Sequence, residues 1–311
     1  MESSSLRNDL LILSEEHVVK LSTEEQSVTL NSELFSNCET AEFTNLDISF
    51  NHKLLMDECF LVETTPYEHE SIKYNQHCWL EHLYPHQGAY KKVRESKVLI
   101  IGCGGTGSLI AQTLASSGVR EFILVDGDTV KESNLNRQYA FSRKQLNSYK
   151  VDALSSYLVE EYDVSEPQCI RDMFLNLSLS NRITSDIDLI VCAADEPSGE
   201  IQILCAELAL RKNAAIIFGA VGLTQATVGP LIKDPESIDG FIKINRSLNN
   251  LKQNILKRPT YPSNGSTNSI VANIIALNCL TYLGSEQCSL ENRCYRFSFL
   301  ELTSKLIYSL R

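Results

Sequence analysis

The chain has 311 residues, 43% hydrophobic and 22% charged, with a net charge of -11. That length suits about two domains, and the composition is that of a globular protein able to bury a large core. The acidic balance excludes nucleic acid or an anionic membrane surface as the main partner, since both call for a basic face. The ten cysteines are scattered, and no two have Cys-x-x-Cys spacing. A four-thiolate zinc site is therefore not expected. Several lie in apolar segments, such as Cys192 in "LIVCAA", and read as small buried hydrophobes of a reducing compartment. "MESSSLRNDLL" lacks the pattern of a signal peptide, and no apolar run reaches the roughly 18 residues of a membrane span. A cytoplasmic location is expected.

Residues 1–65 carry "LLIL", "HVVKL" and "SVTL", short β-branched runs between polar turns that predict a small hairpin and mixed structure. Residues 66–95, rich in His, Tyr and charge, read as a connector with a helix. From Lys97 onward strands and helices alternate. "KVLII" is a buried strand, 106–117 a helix stopped by Gly118, and "EFILVD" the next strand. A long helix is predicted over 143–161, with Ser142 and Gln145 as its capping box. "DLIVCAAD" (188–195) is another buried strand with a helix after Pro197. "AAIIFGAVG" and "QATVGPLI" read as strands, 240–266 as a loose polar crossover, and 268–283 as a helix. "YRFSFLEL" and "KLIYSL" read as a closing hairpin. The alternation predicts an α/β, Rossmann-like, mainly parallel sheet with helices on both faces. Ligands of such sheets sit at the carboxyl ends of the strands.

The stretch "IIGCGGTGSLI" (101–111) places Gly102, Gly104 and Gly107 in Gly-x-Gly-x-x-Gly spacing between a strand and a helix, with Gly105 a further close-approach position. This is a seat for a phosphate. It is not a P-loop, because Ser108 follows Gly107 where that motif needs Lys. Asp126 ends the next strand, nineteen residues after Gly107, where an acid holds a ribose. This suits NAD and ATP alike; Asp128 in the same "VDGD" is also a natural turn residue. All six histidines precede the glycine loop, and no tyrosine has a lysine four residues later, so the sheet lacks the common proton donors of dehydrogenases. "SNLNRQ" (133–138) sets Asn134, Arg137 and Gln138 beside the loop. Lys150 interrupts an apolar stripe of Leu146, Leu154 and Leu158, so it either snorkels or meets an anion. Asp195, at the end of a buried strand, either caps the next helix or faces Mg²⁺.

Taken in order, "GCGGTGS", "VDGD", "SNLNRQ", "YKVDA" and the "AAD" after a strand resemble the adenylation core of the ubiquitin-activating-enzyme-like (ThiF/MoeB/HesA) superfamily, over about residues 90–300. Within it the chain is most similar to the peptide-modifying enzymes of microcin C and pantocin A type. The resemblance implies that Gly102, Gly104, Gly105 and Gly107 line ATP and that Asp126 holds its ribose, with Asp128 beside it. It implies that Asn134, Arg137 and Gln138 contact the triphosphate, that Lys150 neutralises phosphate charge, and that Asp195 positions Mg²⁺. Arg137, Lys150 and Asp195 are then the catalytic set. A substrate carboxylate attacks the α-phosphorus and pyrophosphate leaves; such chemistry asks for positioning and cationic stabilisation.

Many members of the superfamily carry two zinc-binding Cys-x-x-Cys pairs, and "DPESIDGFIKI" and the segment after "LIYSLR" offer none, so no zinc is expected. The family's trans-acting arginine has its nearest counterpart in Lys73 of "KYNQ". Two domains are expected: a small α+β, winged-helix-like peptide clamp over 1–70, and an ATP-binding adenylation domain over 71–311 with its crossover at about 240–266. Lys243, Arg246, Lys252, Lys257 and Arg258 of that crossover are suited to an acidic peptide. The implied enzyme is a homodimer that adenylates a carboxylate of a ribosomal precursor peptide, a glutamate side chain in pantocin-type relatives. The alternatives are an enzyme that adenylates the C-terminus of a ubiquitin-like sulfur carrier, a non-catalytic nucleotide-binding module, and an NAD oxidoreductase.

Overall fold

A computed structural model of the chain describes residues 66–310 except 86, 184 and 252–261, together with the backbone of short strands between residues 4 and 63. Two compact units divide at Tyr90 and Lys91. In the first unit β1 (Ser4–Leu6) pairs antiparallel with β7 (Leu61–Glu63). β2 (Leu11–Glu15), β3 (Val18–Ser22) and β4 (Ser27–Asn31) form an antiparallel meander, so the expected hairpin gains a third strand. β5 (Phe35–Asn37) pairs with β6 (Glu42–Phe43). The helical part of the winged-helix reading falls outside the described residues. Helix α1 (Ile72–Leu83) follows, capped by the Ser71 side chain, and α2 spans Ala89–Glu95.

The second unit is built on one eight-stranded mixed sheet of order β10-β9-β8-β11-β12-β13-β14-β15. Its parallel part comprises five strands, β8 (Lys97–Ile101), β9 (Glu121–Val125), β10 (Gln168–Ile170), β11 (Leu189–Cys192) and β12 (Ala215–Val221). β13 (Gln225–Ile232), β14 (Arg293–Ser298) and β15 (Thr303–Ser309) continue it antiparallel. The helices are α3 (Gly105–Ser116), α4 (Lys150–Glu161), α5 (Ile201–Lys212), α6 (Pro235–Leu251) and α7 (Gly265–Ser285). Strands such as β8 read as continuous apolar runs because both faces are covered. Leu99, Ile101, Ile123, Ile190 and Ile216 point to one face, where they pack with Ile203, Leu208, Ile238 and Phe241 of α5 and α6. Their alternates Val98, Ile100 and Leu124 are as deeply buried on the face of α3 and α7. This is the expected α/β Rossmann-like, mainly parallel architecture, with three of its eight strands antiparallel.

Two segments depart from the sequence reading. The crossover at 240–266 is not a loop over its first part: α6 runs to Leu251. Ile238, Phe241 and Ile242 recur at helical spacing and are buried, and Phe241 stacks on Phe218 at 4.4 Å. Lys243 pairs with Asp239 at 3.0 Å and Arg246 with Glu207, while Lys252, Lys257 and Arg258 lie outside the described residues. The helix expected over 143–161 begins at Lys150. Ser142 and Gln145 do form a capping box, the Ser142 N–H donating to Gln145 Oε1 at 2.8 Å, but around a single 3-10 turn. Asn147 then takes a positive φ of 70°. Tyr149 bridges Thr129, which holds the chain extended up to the helix. Leu146 is thus outside the helix, and Lys150 opens it.

Candidate active site

The chain runs from β8 outward to β9 and β10, then crosses back to β11 on the other side of β8. The strand order therefore reverses between β8 and β11, the place where open α/β sheets hold ligands. A cleft lies there, lined by Gly102, Gly104, Asp126, Asp128, Lys150 and Asp195. Ile101, Val125, Asp172, Met173, Phe174, Ala193, Ala194 and Glu196 complete its wall.

Each glycine of the loop is explained by a different neighbour. Gly102 has φ +91°, and a Cβ there would lie 2.7 Å from Ala194 N. A Cβ on Gly107 would lie 1.8 Å from Gly102 O, so α3 closes tightly on the strand. At Gly105 the space is held by Asn268 Oδ1, 2.4 Å from the ideal Cβ position, and by Arg137 Cγ at 3.3 Å. Gly104 differs: a Cβ would meet only Gln138 Nε2, at 3.9 Å. No protein atom forbids a side chain at Gly104. It stands at the N-cap of α3, where backbone N–H groups and the helix dipole favour an anion.

Asp126 is half-buried at the end of β9. Its Oδ2 accepts from Cys103 N at 2.7 Å and its Oδ1 from Asp128 N at 2.8 Å. Each carboxylate oxygen keeps a lone pair for a ribose hydroxyl. Burial pushes the Asp126 carboxyl up from the usual range, while Lys150 and the two backbone donors pull it back. A raised acid binds its proton more tightly folded than unfolded, so its contribution to stability falls as pH rises from the unfolded through the folded value. The stability of the parent relative to Asp126→Asn is accordingly expected to decrease between pH 4 and pH 7. Urea unfolding of both proteins across that range checks it.

Lys150 lies on the first turn of α4, with its side chain 8% exposed. Its Nζ meets Asp128 Oδ2 at 2.7 Å. Lys150 thus meets a carboxylate of the protein itself, Asp128. Asp195 is exposed on the opposite side of the cleft. The turn Pro197–Glu200 separates it from α5, whose N-cap is Glu200, so Asp195 is not the cap of that helix. Among the described residues Asp195 has no hydrogen-bond or ion-pair partner, and no group of three or more His, Cys, Asp or Glu side chains converges on a cation position. A single carboxylate fits Mg²⁺, which takes most of its ligands from water and phosphate.

Arg137 and Gln138 stand beside the glycine loop, against Gly105 and Gly104, rather than in the cleft wall, and Asn134 belongs to the turn that precedes them. Asn134 is buried and its Oδ1 accepts from Lys131 N at 3.0 Å, which shapes the turn Glu132–Asn134. Arg137 Nη1 donates to Ser133 O at 3.0 Å and Asn136 Oδ1 at 2.9 Å, and the guanidinium has no carboxylate partner among the described residues. Gln138 is buried, and its Oε1 lacks a hydrogen-bond partner. The Gln138 atom nearest Gly104 is its amide nitrogen, an N–H donor of the kind a phosphate oxygen takes.

Sequence reasoning missed two contributors. Asp172, Met173 and Phe174 follow β10, whose three residues are too few to show a strand pattern. Asn268 on α7 accepts from Thr106 Oγ1 at 3.2 Å and donates to Asn264 O at 2.6 Å, tying the far helix to the loop. Nothing in the sequence marks it, since "GSTNS" at the start of α7 is polar throughout. Cys103, inside the loop, is fully buried, and burial pushes its thiol well up; Cys288 is pushed up to about 11. Such thiols are poor nucleophiles near neutral pH.

The chain is similar to known proteins in part of its sequence and in its fold. The chain is 37% identical over 107 residues to adenylyltransferase and sulfurtransferase uba4 of Neosartorya fischeri, a stretch forming 34% of this chain and 20% of that protein. It is 30% identical over 129 residues to the NEDD8-activating enzyme E1 catalytic subunit of Schizosaccharomyces pombe, 41% of this chain and 28% of that one. The chain thus matches only 20% to 28% of the length of these curated relatives. In fold it is similar to E. coli MccB solved with ATP, with a TM-score of 0.72 and 19% identity, over 99% of this chain and 96% of that. It is also similar to PaaA, with a TM-score of 0.67 and 18% identity, over 84% and 91%. The ThiF family pattern matches residues 74–309, the span that holds the glycine loop, Asp126, Arg137, Lys150 and Asp195. With three quarters of its length matched in this way, the chain belongs to the ThiF family.

Proposed function

We propose that the protein is a Mg-ATP-dependent adenylating enzyme acting on a carboxylate of a ribosomally made precursor peptide. The observation that carries the reading is the placing of Lys150 and Asp195 on two sides of one cleft, beside a Gly104 left open at a helix N-terminus. Gly102 and Gly104 let the phosphates approach the backbone, and Asp126 holds the ribose. Lys150 and Arg137 draw charge from the phosphates, and Asn134 and Gln138 orient them. The substrate carboxylate oxygen forms a bond to the α-phosphorus as the bond to the bridging oxygen breaks, and pyrophosphate carries away that electron pair. Asp195 would hold Mg²⁺, which when bound would supply charge neutralisation for the leaving phosphates. Binding sites of this kind work by preorganised charge, so no protein nucleophile is needed.

The full-length fold likeness to MccB, which has been solved with ATP and in complex with N-formylated MccA, supports a peptide as the substrate. In this reading residues 1–70 clamp the peptide, residues 71–311 adenylate it, and the enzyme acts in the cytoplasm as a homodimer with Lys73 serving the partner's nucleotide. The sequence match to uba4 favours a second reading, in which the carboxylate is the C-terminus of a ubiquitin-like sulfur carrier. Pyrophosphate exchange into ATP separates them. Exchange supported by a precursor peptide encoded beside the gene, and not by a carrier ending in Gly-Gly, is expected. Exchange with the carrier alone would overturn the peptide reading.

A further inference from the structure

Lys150 and Asp128 are joined twice. Lys150 N donates to Asp128 O at 2.9 Å, and Lys150 Nζ meets Asp128 Oδ2 at 2.7 Å. The main-chain tie belongs to a short antiparallel ladder. Val130 N donates to Ser148 O and Asn147 N to Val130 O, both at 2.9 Å, and Thr129 bridges Tyr149. The ladder fixes residues 128 and 150 in register, so the ion pair is set by the backbone rather than found by two free side chains. Its two ends differ in exposure. The Lys150 side chain is 8% exposed and that of Asp128 is 53% exposed. A surface pair between two long mobile side chains gains little; here one partner is already buried and held.

The ammonium also has a competitor. Asp126 lines the same cleft as Lys150, whose charge pulls the Asp126 carboxyl down, and it is fixed by Cys103 N and Asp128 N. One cleft thus holds two carboxylates and one buried cation, and the cation has three N–H donors. A Lys150 that turned wholly to Asp126 would be lost to the phosphates and would occupy the ribose-binding acid.

We infer that Asp128 is a positioning residue: it holds the Lys150 ammonium off Asp126 and aims its remaining donors at the nucleotide phosphates. The inference rests on the proposed ATP site and goes beyond it, since Asp128 acts through Lys150 and not by touching the nucleotide. Asp128→Asn keeps an oxygen in place to accept from Nζ, whereas Asp128→Ala removes it.

The test is equilibrium binding of ATP with Mg²⁺, without peptide, to the full chain and its variants, with thermal unfolding to show that each is folded. Asp128→Ala is expected to weaken ATP binding about tenfold, the order of one charge-assisted hydrogen bond. Lys150→Ala is expected to do the same, and the double variant to bind no worse than Lys150→Ala alone. Asp128→Asn is expected to stay within about threefold of the parent, because it restores the acceptor. Losses that multiply in the double variant, or an Asn variant as weak as the Ala variant, would overturn the positioning role. A parent that binds ATP but supports no exchange would sink adenylation and leave this inference standing. A parent that binds no ATP would overturn both.

Discussion

Asp195→Ala is expected to lower ATP-pyrophosphate exchange by at least about a hundredfold while leaving the fold intact, the scale seen when a preorganised electrostatic partner of a reacting group is removed. The side chain has no partner among the described residues, is exposed, and follows a strand whose burial is complete without it. Its removal therefore opens no cavity and orphans no donor, so the thermal midpoint should move little. What is lost is the carboxylate opposite Lys150 that would carry Mg²⁺. Raising Mg²⁺ should recover part of the rate if the defect is one of cation affinity. Unchanged exchange in the Asp195→Ala variant would remove the metal assignment.

Gly104→Ala and Gly107→Ala should fail in opposite ways. The Gly107 variant is expected to lose about 2–3 kcal/mol of stability, because its Cβ would overlap Gly102 O and neither backbone can retreat. The Gly104 variant meets no protein atom closer than 3.9 Å, and its backbone lies in an extended region open to alanine. It should unfold within about 1 kcal/mol of the parent, the scale of an N-cap change. Its methyl group would nevertheless stand where the phosphates must approach, and ATP affinity should fall at least about tenfold, since a close backbone contact is blocked. Urea unfolding and ATP titration of the two variants separate these effects. A Gly104→Ala protein that bound ATP as the parent does would show that the open space beside the loop is not a phosphate seat.

Much of this was legible in the sequence because it is local. Buried parallel strands write themselves as apolar runs, and "KVLII", "EFILV" and "LIVC" were found for that reason. The glycine loop, Asp126 and Asp195 followed, since the ends of those strands converge at one edge. What depended on pairing at a distance was not legible. The Asp128–Lys150 pair joins residues 22 apart through a ladder no propensity announces. Asn268 reaches the loop across 162 residues of sequence. The start of α4 was misplaced because Ser142 and Gln145 carry a true capping box that serves only one turn. The polar surface of α6 hid a helix: its apolar stripe of Ile238, Phe241 and Ile242 is narrow, and "NRSLNN" beside it reads as loop.

The most direct test of adenylation follows oxygen. A candidate precursor peptide carrying oxygen-18 in its reacting carboxylate is incubated with the enzyme, ATP and Mg²⁺, and the nucleotide product is weighed by mass spectrometry. Attack of that carboxylate on the α-phosphorus yields AMP bearing one oxygen-18 atom once the acyl group moves on, with pyrophosphate as the other product. Formation of ADP, or of AMP without the label, would contradict an acyl-adenylate at this site.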